Sequence, residues 1–455
     1  MNRKFRRLGV ALTSVSVLSL GLATAGLGSL PAGASTDPGV NTGTKTITIG
    51  ATVPLSGLAA LGFADVSKSA ISVFNYVNAQ GGVNGWKVNF IVKNDCYNLG
   101  ICGAGNDTTS QTANLLNTSG GLFATVGSLG TATQVSVENT LKNAGVPQLF
   151  VNSGSHYWNN PSTYPGLYGF QTNYLAEGKM FATYIKATAA LKSAKVGYLG
   201  QNDDFGQDGL QGLKNGGVTP NDSETYNATD VVFNQPTFKT TLAKFQSAGI
   251  KVVVLDTVPQ GTTLALTAAK QLGYKPTFFI SGVGSDPQTV NNANENGAYS
   301  MTFLPATKLT TNKWNAWTSK VLTAENGTSM NGVSAEAFSK NKYLNGNQQY
   351  GVAWSVAFLE ALYKVTSSNG VPTRSGIESA LTSTSFATPA VVPLAYSSTN
   401  HQGLTGGYLV KVSSTSGAAN QYTTAVNTTV FHVDPNSQAL KTTKVSYTSP
   451  ATWLH

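Results

Sequence analysis

Residues 201–208 read QNDDFGQD and place three carboxylates, those of Asp203, Asp204 and Asp208, within six positions of one another. The run contains Asp204-Phe205-Gly206, the tripeptide that holds magnesium in protein kinases. A kinase would also need a Gly-rich loop, a strand lysine and an H-R-D segment, and the sequence has none of them. A calcium hand needs D-x-[DN]-x-[DN]-G followed by a glutamate, which the stretch does not supply. It therefore indicates a loop that follows a strand and faces a cleft.

The sequence also lacks the residue sets of common enzymes. No G-x-S-x-G turn is present, so an α/β-hydrolase would have no nucleophile. No P-loop is present and no G-x-G-x-x-G follows a strand, which argues against nucleotide binding. The histidines do not pair at metal-ligand spacing; they are His156, His401, His432 and His455. We therefore expect a protein that is not an enzyme and holds neither metal nor cofactor.

Composition and the first residues indicate export. Of 455 residues, 41% are hydrophobic and only 11% are charged, so Ser, Thr, Asn and Gly must form much of the surface. Four basic residues at positions 3–7 precede a mostly apolar stretch, Leu8 to Leu30, and Ala32-Gly33-Ala34 supplies the small residues that signal peptidase reads. We predict a signal peptide at 1–34 and a Gly/Thr-rich linker at 35–45. An uncleaved membrane anchor is the alternative for the apolar stretch.

The expected mature chain is soluble and periplasmic or extracellular, because no cysteine near the cleavage site could carry a lipid anchor. Its 25 basic residues against 20 acidic ones leave a charge too mild for nucleic acid. The two cysteines, Cys96 and Cys102, would meet an oxidising compartment, so we predict a disulfide. Closing so short a loop stabilises by about 2 to 3 kcal/mol in the chain-entropy model. Metal ligation is the competing interpretation of the pair, but no histidine lies nearby.

The chain alternates β-branched or aromatic runs with amphipathic stretches, which predicts buried parallel strands joined by helices. The predicted strands are residues 46–53, 87–92, 122–127, 147–151, 195–200, 250–256 and 276–280. Helices are predicted over FADVSKSAISVFNYVNAQ, PTFKTTLAKFQSAG and QQYGVAWSVAFLEALYKV, and antiparallel strands over GGYLVKV and TTVFHV. The irregular stretch at 154–173 divides the strands, so we expect two doubly wound α/β lobes.

Polar residues follow these strands, at the sheet edge where open α/β sheets bind ligands. They are Ser56, Asp95, Gly127 to Thr131, Asn152 to Ser155, Asn202 to Asp204, Asp256-Thr257 and Ser281 to Ser285. A loop such as GSLGTAT sets amides and hydroxyls at a helix start, which favours a carboxylate or another anion. Capping of the helix by Ser and Thr is the alternative at any single loop.

Taken together, these turns resemble the type I periplasmic binding proteins of the branched-chain amino acid (Leu/Ile/Val) family of ABC-transporter receptors. The stretches that carry the likeness are ITIGATVPLSGLAALG, VNAQGGVNGWKVNFIVKND, VGSLGTATQ, AGVPQLFVNSGS, NDDFGQDG and QLGYKPTFFISGVG, between about residues 46 and 410. The resemblance implies two Rossmann-like lobes joined by three crossovers. It implies lobe 1 at 46–169 and 298–390, and lobe 2 at 170–297 and 391–455.

The resemblance also implies a ligand-binding set in the cleft between the lobes. Hydroxyls that bind the ligand's carboxylate fall on Thr131, Ser153 and Ser155. Further wall positions fall on Leu61, Phe205, which replaces a typical tyrosine, and Val258.

One position departs from the family. Where amino-acid binders have an acidic residue that pairs with the ligand's ammonium, near the GVG turn, this sequence has Ser281. Burying an unpaired ammonium is costly, so either another acid takes over or the ligand has no ammonium. The candidate acids are Asp203, Asp204, Asp256 and Asp286.

The sequence therefore predicts an exported, monomeric receptor that binds an amino acid, or a related small carboxylate or amide, and delivers it to an ABC permease. The alternative is an extracytoplasmic ligand sensor that passes a signal to a membrane receptor partner.

Overall fold

The computed structural model describes residues 36–57, 60–232, 236–339, 342–368, 370–383, 385–414 and 421–454. The predicted signal peptide lies outside these residues. The strands are β1 (Val40–Asn41), β2 (Thr46–Val53), β3 (Lys87–Asn94), β4 (Ala124–Val126), β5 (Gln148–Val151), β6 (Leu167–Gly169), β7 (Val196–Gln201), β8 (Asp222–Tyr226), β9 (Val252–Asp256), β10 (Thr277–Ile280), β11 (Tyr299–Thr302), β12 (Ser329–Met330), β13 (Val333–Ser334), β14 (Gly406–Ser414), β15 (Gln421–Ala425), β16 (Thr429–Val433) and β17 (Leu440–Lys444). The helices are α1 (Phe63–Ala79), α2 (Thr108–Leu116), α3 (Thr131–Val135), α4 (Glu138–Asn143), α5 (Tyr174–Ala187), α6 (Asp204–Asn215), α7 (Thr237–Ser247), α8 (Pro259–Gln271), α9 (Pro287–Val290), α10 (Lys313–Ala324), α11 (Gly346–Thr366) and α12 (Arg374–Ser383).

The first sheet has the order β1-β2-β4-β5-β6, with β3 beside β2. Strands β2 to β6 pair in parallel, while β1 pairs antiparallel to β2. The side chains of Ile47, Ile49, Ala51 and Val53 on β2 are fully buried. Burial on both faces explains the continuous apolar runs in these strands.

The second sheet has the order β17-β16-β14-β11-β10-β9-β7-β8, with β15 beside β14. Strands β7 to β11 pair in parallel. Strand β14 then pairs antiparallel to β11, β15 and β16. The structure thus confirms the two parallel-sheet lobes and the antiparallel strands predicted from GGYLVKV and TTVFHV.

Helices cover the sheets where the periodicity predicts them. Helix α1 packs along α11, and Phe74 of α1 meets the rings of Trp354 and Phe358 of α11 at 6.0 and 6.3 Å. All three rings are fully buried. Burying each side chain of this size contributes about 1.5 to 3 kcal/mol. Helix α11 is buried nearly all round, and its buried residues include polar ones such as Gln348 and Gln349 as well as the apolar core.

Three segments belong to a different part of the fold from the one that the predicted domain boundaries gave them. The predicted linker contains β1, and the amide of Gly39 donates to the Gly120 carbonyl at 2.8 Å, so this segment is part of the first lobe. Strand β11 pairs within the second sheet, although the boundary at 298 assigned it to lobe 1. Residues 445–454 return to the first lobe, where Trp317 Nε1 donates to the Leu454 carbonyl at 2.8 Å. This return adds a fourth passage between the lobes to the predicted three.

The predicted disulfide is present between Cys96 and Cys102, whose Cα atoms lie 6.0 Å apart. It closes the loop after β3. Asp95 begins this loop and accepts a hydrogen bond from the Tyr97 amide at 3.0 Å, and Thr108 Oγ1 donates to the same carboxyl at 3.0 Å. The loop thereby fixes Tyr97, whose ring enters the site described next.

Candidate functional site

A cleft of about 850 Å³, counted out to the open solvent, lies where the carboxyl ends of both sheets face each other. Both lobes line it, through loops after β3, β4, β5, β10 and β11 and through the first turns of α1, α5, α6 and α11. The lining residues are Phe63, Val66, Tyr97, Leu129, Gly130, Thr131, Asn152, Gln171, Tyr174, Glu177, Phe205, Gly282, Val283, Asp286, Met301, Thr302, Phe303, Leu304, Gly346, Asn347 and Tyr350. The lining is mainly apolar, with a few polar groups between aromatic rings, as is usual for a small-molecule site.

Six aromatic rings contribute to the wall. The rings of Tyr174 and Phe205 pack at 4.5 Å between centroids, and those of Phe303 and Tyr350 at 5.5 Å in an edge-to-face arrangement. Because rings held by their neighbours lose little freedom when a ligand binds, they suit an apolar ligand body.

A group of hydroxyls lies on the first-lobe side of the cleft. Thr131 Oγ1 lies 2.7 Å from Ser153 Oγ, and the Tyr174 phenol lies near both hydroxyls. Burial raises the pKa of Tyr174, so its phenol stays neutral and able to donate a hydrogen bond. Of the three side chains, Thr131 and Tyr174 line the cleft, while Ser153 lies behind Thr131.

The remaining predicted wall and carboxylate-binding residues take other positions among the described residues. Phe205 lines the cleft, but Leu61 is 47% exposed and lies in a separate surface groove. Ser155 Oγ accepts the Tyr157 amide at 3.2 Å, which places it at a turn beside the cleft. Val258 precedes α8, and its amide donates to the Tyr226 hydroxyl at 3.0 Å. Ser281 lies behind the cleft wall and donates to Glu177 Oε2 at 3.0 Å.

The candidate acids mostly have structural partners. Asp203 caps α6 by accepting the Phe205 amide at 3.0 Å, and burial raises its pKa. Asp256 accepts the Tyr198 hydroxyl at 2.6 Å beneath the cleft. Only Asp286 of the four lines the cleft, and its oxygens accept the amides of Gln288, Thr289 and Gly346.

Asp204 and Asp208 face the first lobe across the boundary between the lobes. Asp208 accepts the His156 amide at 2.8 Å, and its other oxygen lies 2.7 Å from His156 Nδ1. The hydrogen bond to Asp208 raises the pKa of His156. Burial raises the pKa of Asp204, beside the Ser155 hydroxyl. The stretch QNDDFGQD therefore contributes a helix cap, a ring in the cleft and a contact between lobes.

Sequence reasoning missed Glu177, which lines the cleft from the first turn of α5. Its carboxyl accepts the Gly282 amide at 2.7 Å as well as the Ser281 hydroxyl. Burial, and then repulsion by Asp256, raise the pKa of Glu177. An acidic residue in a first helical turn is ordinarily explained by the helix dipole, so the sequence offered no distinct signal.

The described part of the chain contains neither a metal-binding cluster nor a membrane-spanning helix. No group of three or more His, Cys, Asp or Glu side chains could hold a metal ion there. No helix in these residues is long and apolar enough to cross a membrane.

The architecture and the interlobe cleft define a class of two-lobed solute-binding proteins. The periplasmic binding protein family model matches residues 46–419, and the chain belongs to this family. It is a family of solute-binding proteins, not of enzymes. No curated protein sequence matches the chain.

Solved structures with similar folds come from several transport proteins. A fatty acid ABC transporter substrate-binding protein from Thermomonospora curvata has a TM-score of 0.72 at 16% identity, over 92% of this chain and 98% of that one. A branched-chain amino acid ABC transporter protein from Thermus thermophilus with bound valine has a TM-score of 0.65 at 15% identity, over 84% and 95%. An ABC transporter substrate-binding protein from Aeropyrum pernix has a TM-score of 0.67 at 13% identity, over 86% and 97%. At these identities the likeness concerns the fold.

Proposed function

We propose that the chain is the exported solute receptor of an ABC-type importer, and that it binds an amino acid or a related small carboxylate or amide between its lobes. The observation that carries the proposal is the cleft itself, which both lobes line and which combines aromatic rings with the Thr131 and Tyr174 hydroxyls, with the Ser153 hydroxyl behind that of Thr131. Hydroxyls at one end and rings around the rest suit a compact polar head on an apolar body.

The same arrangement supports delivery to a permease. A ligand that contacts both lobes favours the form in which they are closed, since it gains contacts there that the open form lacks. The closed form would be the one that a permease in the membrane recognises. Similar folds in structures described as ABC-transporter substrate-binding proteins support this part of the proposal.

Replacing Thr131 by alanine tests the polar end of the cleft. The Thr131→Ala variant should bind a carboxylate-bearing ligand about tenfold more weakly or worse, because a hydrogen bond to a charged group is worth ~1.5 to 3 kcal/mol. Isothermal titration calorimetry with L-leucine, L-phenylalanine and their amides measures the loss. Thr183→Ala is the matched control, since the Thr183 hydroxyl donates to the Lys179 carbonyl within α5. Absence of binding by every one of these compounds to the wild-type protein would refute the proposed ligand class.

A further inference from the structure

Glu177 is a buried carboxyl on the cleft wall. Its residue is 3% exposed, and the side chain reaches from α5 to the turn after β10, where Ser281 and Gly282 donate to it. Neither donor carries a positive charge. Two hydrogen bonds fix the direction of the carboxyl but leave its charge without a counter-ion.

The surroundings add negative charge and no positive charge. The described lining of the cleft contains Glu177 and Asp286 but no lysine, arginine or histidine. The ion pairs found between described residues involve His156 with Asp208, and Lys244 with Asp222 and Glu224, so Glu177 takes part in none of them. Asp256 lies close enough to repel Glu177. An ionised carboxylate in such a place is costly unless a cation reaches it.

Aromatic rings adjoin the carboxyl. Tyr174 lies three residues before Glu177 on the same side of α5, and it packs on Phe205 of the neighbouring helix α6. Ring faces attract a cation, and the attraction is stronger in a desolvated site than at an exposed one. The carboxyl and the rings therefore favour the same kind of ligand group.

We propose that Glu177 binds a positively charged nitrogen of the ligand, so that the ligand is an amino acid or an amine with an apolar body and not a plain carboxylate. This inference rests on the proposed function, because it assumes that the cleft holds the ligand. Glu177 then fills from α5 the role that an acid near the turn at Ser281 would otherwise serve. The turn still contributes to the site, because the Ser281 hydroxyl and the Gly282 amide orient the Glu177 carboxyl.

Binding of a cation at Glu177 should be coupled to the release of a proton. Burial and Asp256 raise the pKa of Glu177 in the free protein, which favours the protonated carboxyl there. A bound cation favours the ionised carboxylate, so binding should release a proton and affinity should fall as the pH is lowered. The other titratable groups that bear on this pair are Tyr198 on β7, which donates to Asp256, and Asp208 on α6, which repels Asp256.

Two series of three ligands, each series built on one apolar body, show whether the cleft recognises the nitrogen or the carboxylate of the ligand. L-Phenylalanine carries both charges, 2-phenylethylamine carries only the nitrogen, and 3-phenylpropionate carries only the carboxylate; L-leucine, 3-methylbutylamine and 4-methylpentanoate form a second, smaller series. Calorimetry on the wild-type protein should detect the amino acid and the amine in at least one series, and neither plain carboxylate. Binding by the carboxylates and not the amines would overturn the inference while leaving the proposed function intact. No binding in either series would overturn the proposed ligand class and the inference with it.

The Glu177→Gln variant tests the residue. Glutamine keeps an acceptor for the Gly282 amide but has no charge, so the nitrogen-bearing ligands should bind about tenfold more weakly or worse. Glu295→Gln is the matched control, because Glu295 is also fully buried in the second lobe but is not part of the cleft wall. Equal affinities for Glu177→Gln and wild type would overturn the inference. Should Glu177→Gln fail to fold, calorimetry of the wild type in buffers of different ionisation enthalpy decides, and uptake or conservation of protons would count against the inference.

Discussion

At the scale of single residues, part of the site could be predicted from the residues that follow the carboxyl ends of the strands. Thr131 and Phe205 follow strands and line the cleft, because parallel strands bring the loops after their carboxyl ends to one edge. Glu177 belongs to α5, which begins where the chain crosses from the first lobe to the second. The first turn of α5 lies at the cleft for that reason alone. The hydrophobic pattern of a helix does not show which of its ends lies at a cleft, so Glu177 could not be predicted from the sequence.

Asp203 shows how one residue type can serve two different purposes. The sequence made it a candidate partner for an ammonium, whereas in the structure its oxygens accept the Phe205 amide and Gln201 Nε2. Asparagine caps helices about as well as aspartate, but alanine does not.

Substitutions of Asp203 should therefore separate capping from charge. Asp203→Ala should lower the free energy of unfolding by about 0.5 to 2 kcal/mol, the usual cost of losing a cap. Asp203→Asn keeps the cap but loses the acceptor for Gln201 Nε2, so its stability should lie between those of wild type and Asp203→Ala, and its ligand affinity should stay close to wild type. Urea unfolding and calorimetry measure the two quantities. A large loss of affinity in a stable Asp203→Asn protein would show that its charge serves the ligand instead.

At the scale of elements, long apolar strands and helices were predictable and short edge strands were not. Strand β2 spans residues 46–53, the same residues that its β-branched run predicts. Strand β8, DSETY, lies at the end of the second sheet and fully buries only Tyr226, so its polar sequence resembles a turn. Strand β6 has three residues, too few for a pattern.

The contact between α5 and α6 holds Tyr174, Glu177 and Phe205 at the cleft. Glycines allow the two helices to approach closely, since a Cβ placed on Gly212 would lie 2.2 Å from the Leu175 carbonyl oxygen. Gly178 on α5 faces α6 in the same way, with the Gly209 carbonyl oxygen 2.3 Å from a Cβ placed there.

Gly212→Ala should force α5 and α6 apart. Overpacking of this kind costs about 1 to 3 kcal/mol, so we expect a lower melting temperature together with weaker ligand binding. Differential scanning calorimetry and ligand titration check the two effects. Gly43→Ala is the control, because a Cβ there meets only the Asn41 side chain at 3.4 Å. Unchanged melting of Gly212→Ala would mean that the helices separate at no cost.

At the scale of the whole molecule, the His156 and Asp208 contact joins the lobes outside the cleft. Asp208 is nearly buried while the His156 ring is half-exposed, so solvent weakens the pair but does not remove it. Asp204 on the same helix also acts on the imidazole and favours its charged form.

Closure of the ligand-free protein should depend on pH through this pair. Contact with Asp208 raises the pKa of His156, so the charge attraction in the contact is at full strength below the ordinary histidine pKa and is lost as the pH rises through the raised value, while the bond from the His156 amide remains. Small-angle X-ray scattering should give a smaller radius of gyration at pH 5.5 than at pH 8.5. His156→Gln should abolish the difference. An equal difference in the variant would assign the effect to other groups.

The return of residues 445–454 to the first lobe bears on the order in which the protein can be built. Stacking of Trp453 on Tyr363 of α11, with centroids 5.0 Å apart, completes a layer whose other members come earlier in the chain. All strands of the second sheet come from residues 196–444. In the order of the sequence, they therefore come after the first strand of the first sheet and before residues 445–454. When the chain folds from its N-terminus, the second lobe can therefore complete its sheet before residues 445–454 pack on the first lobe.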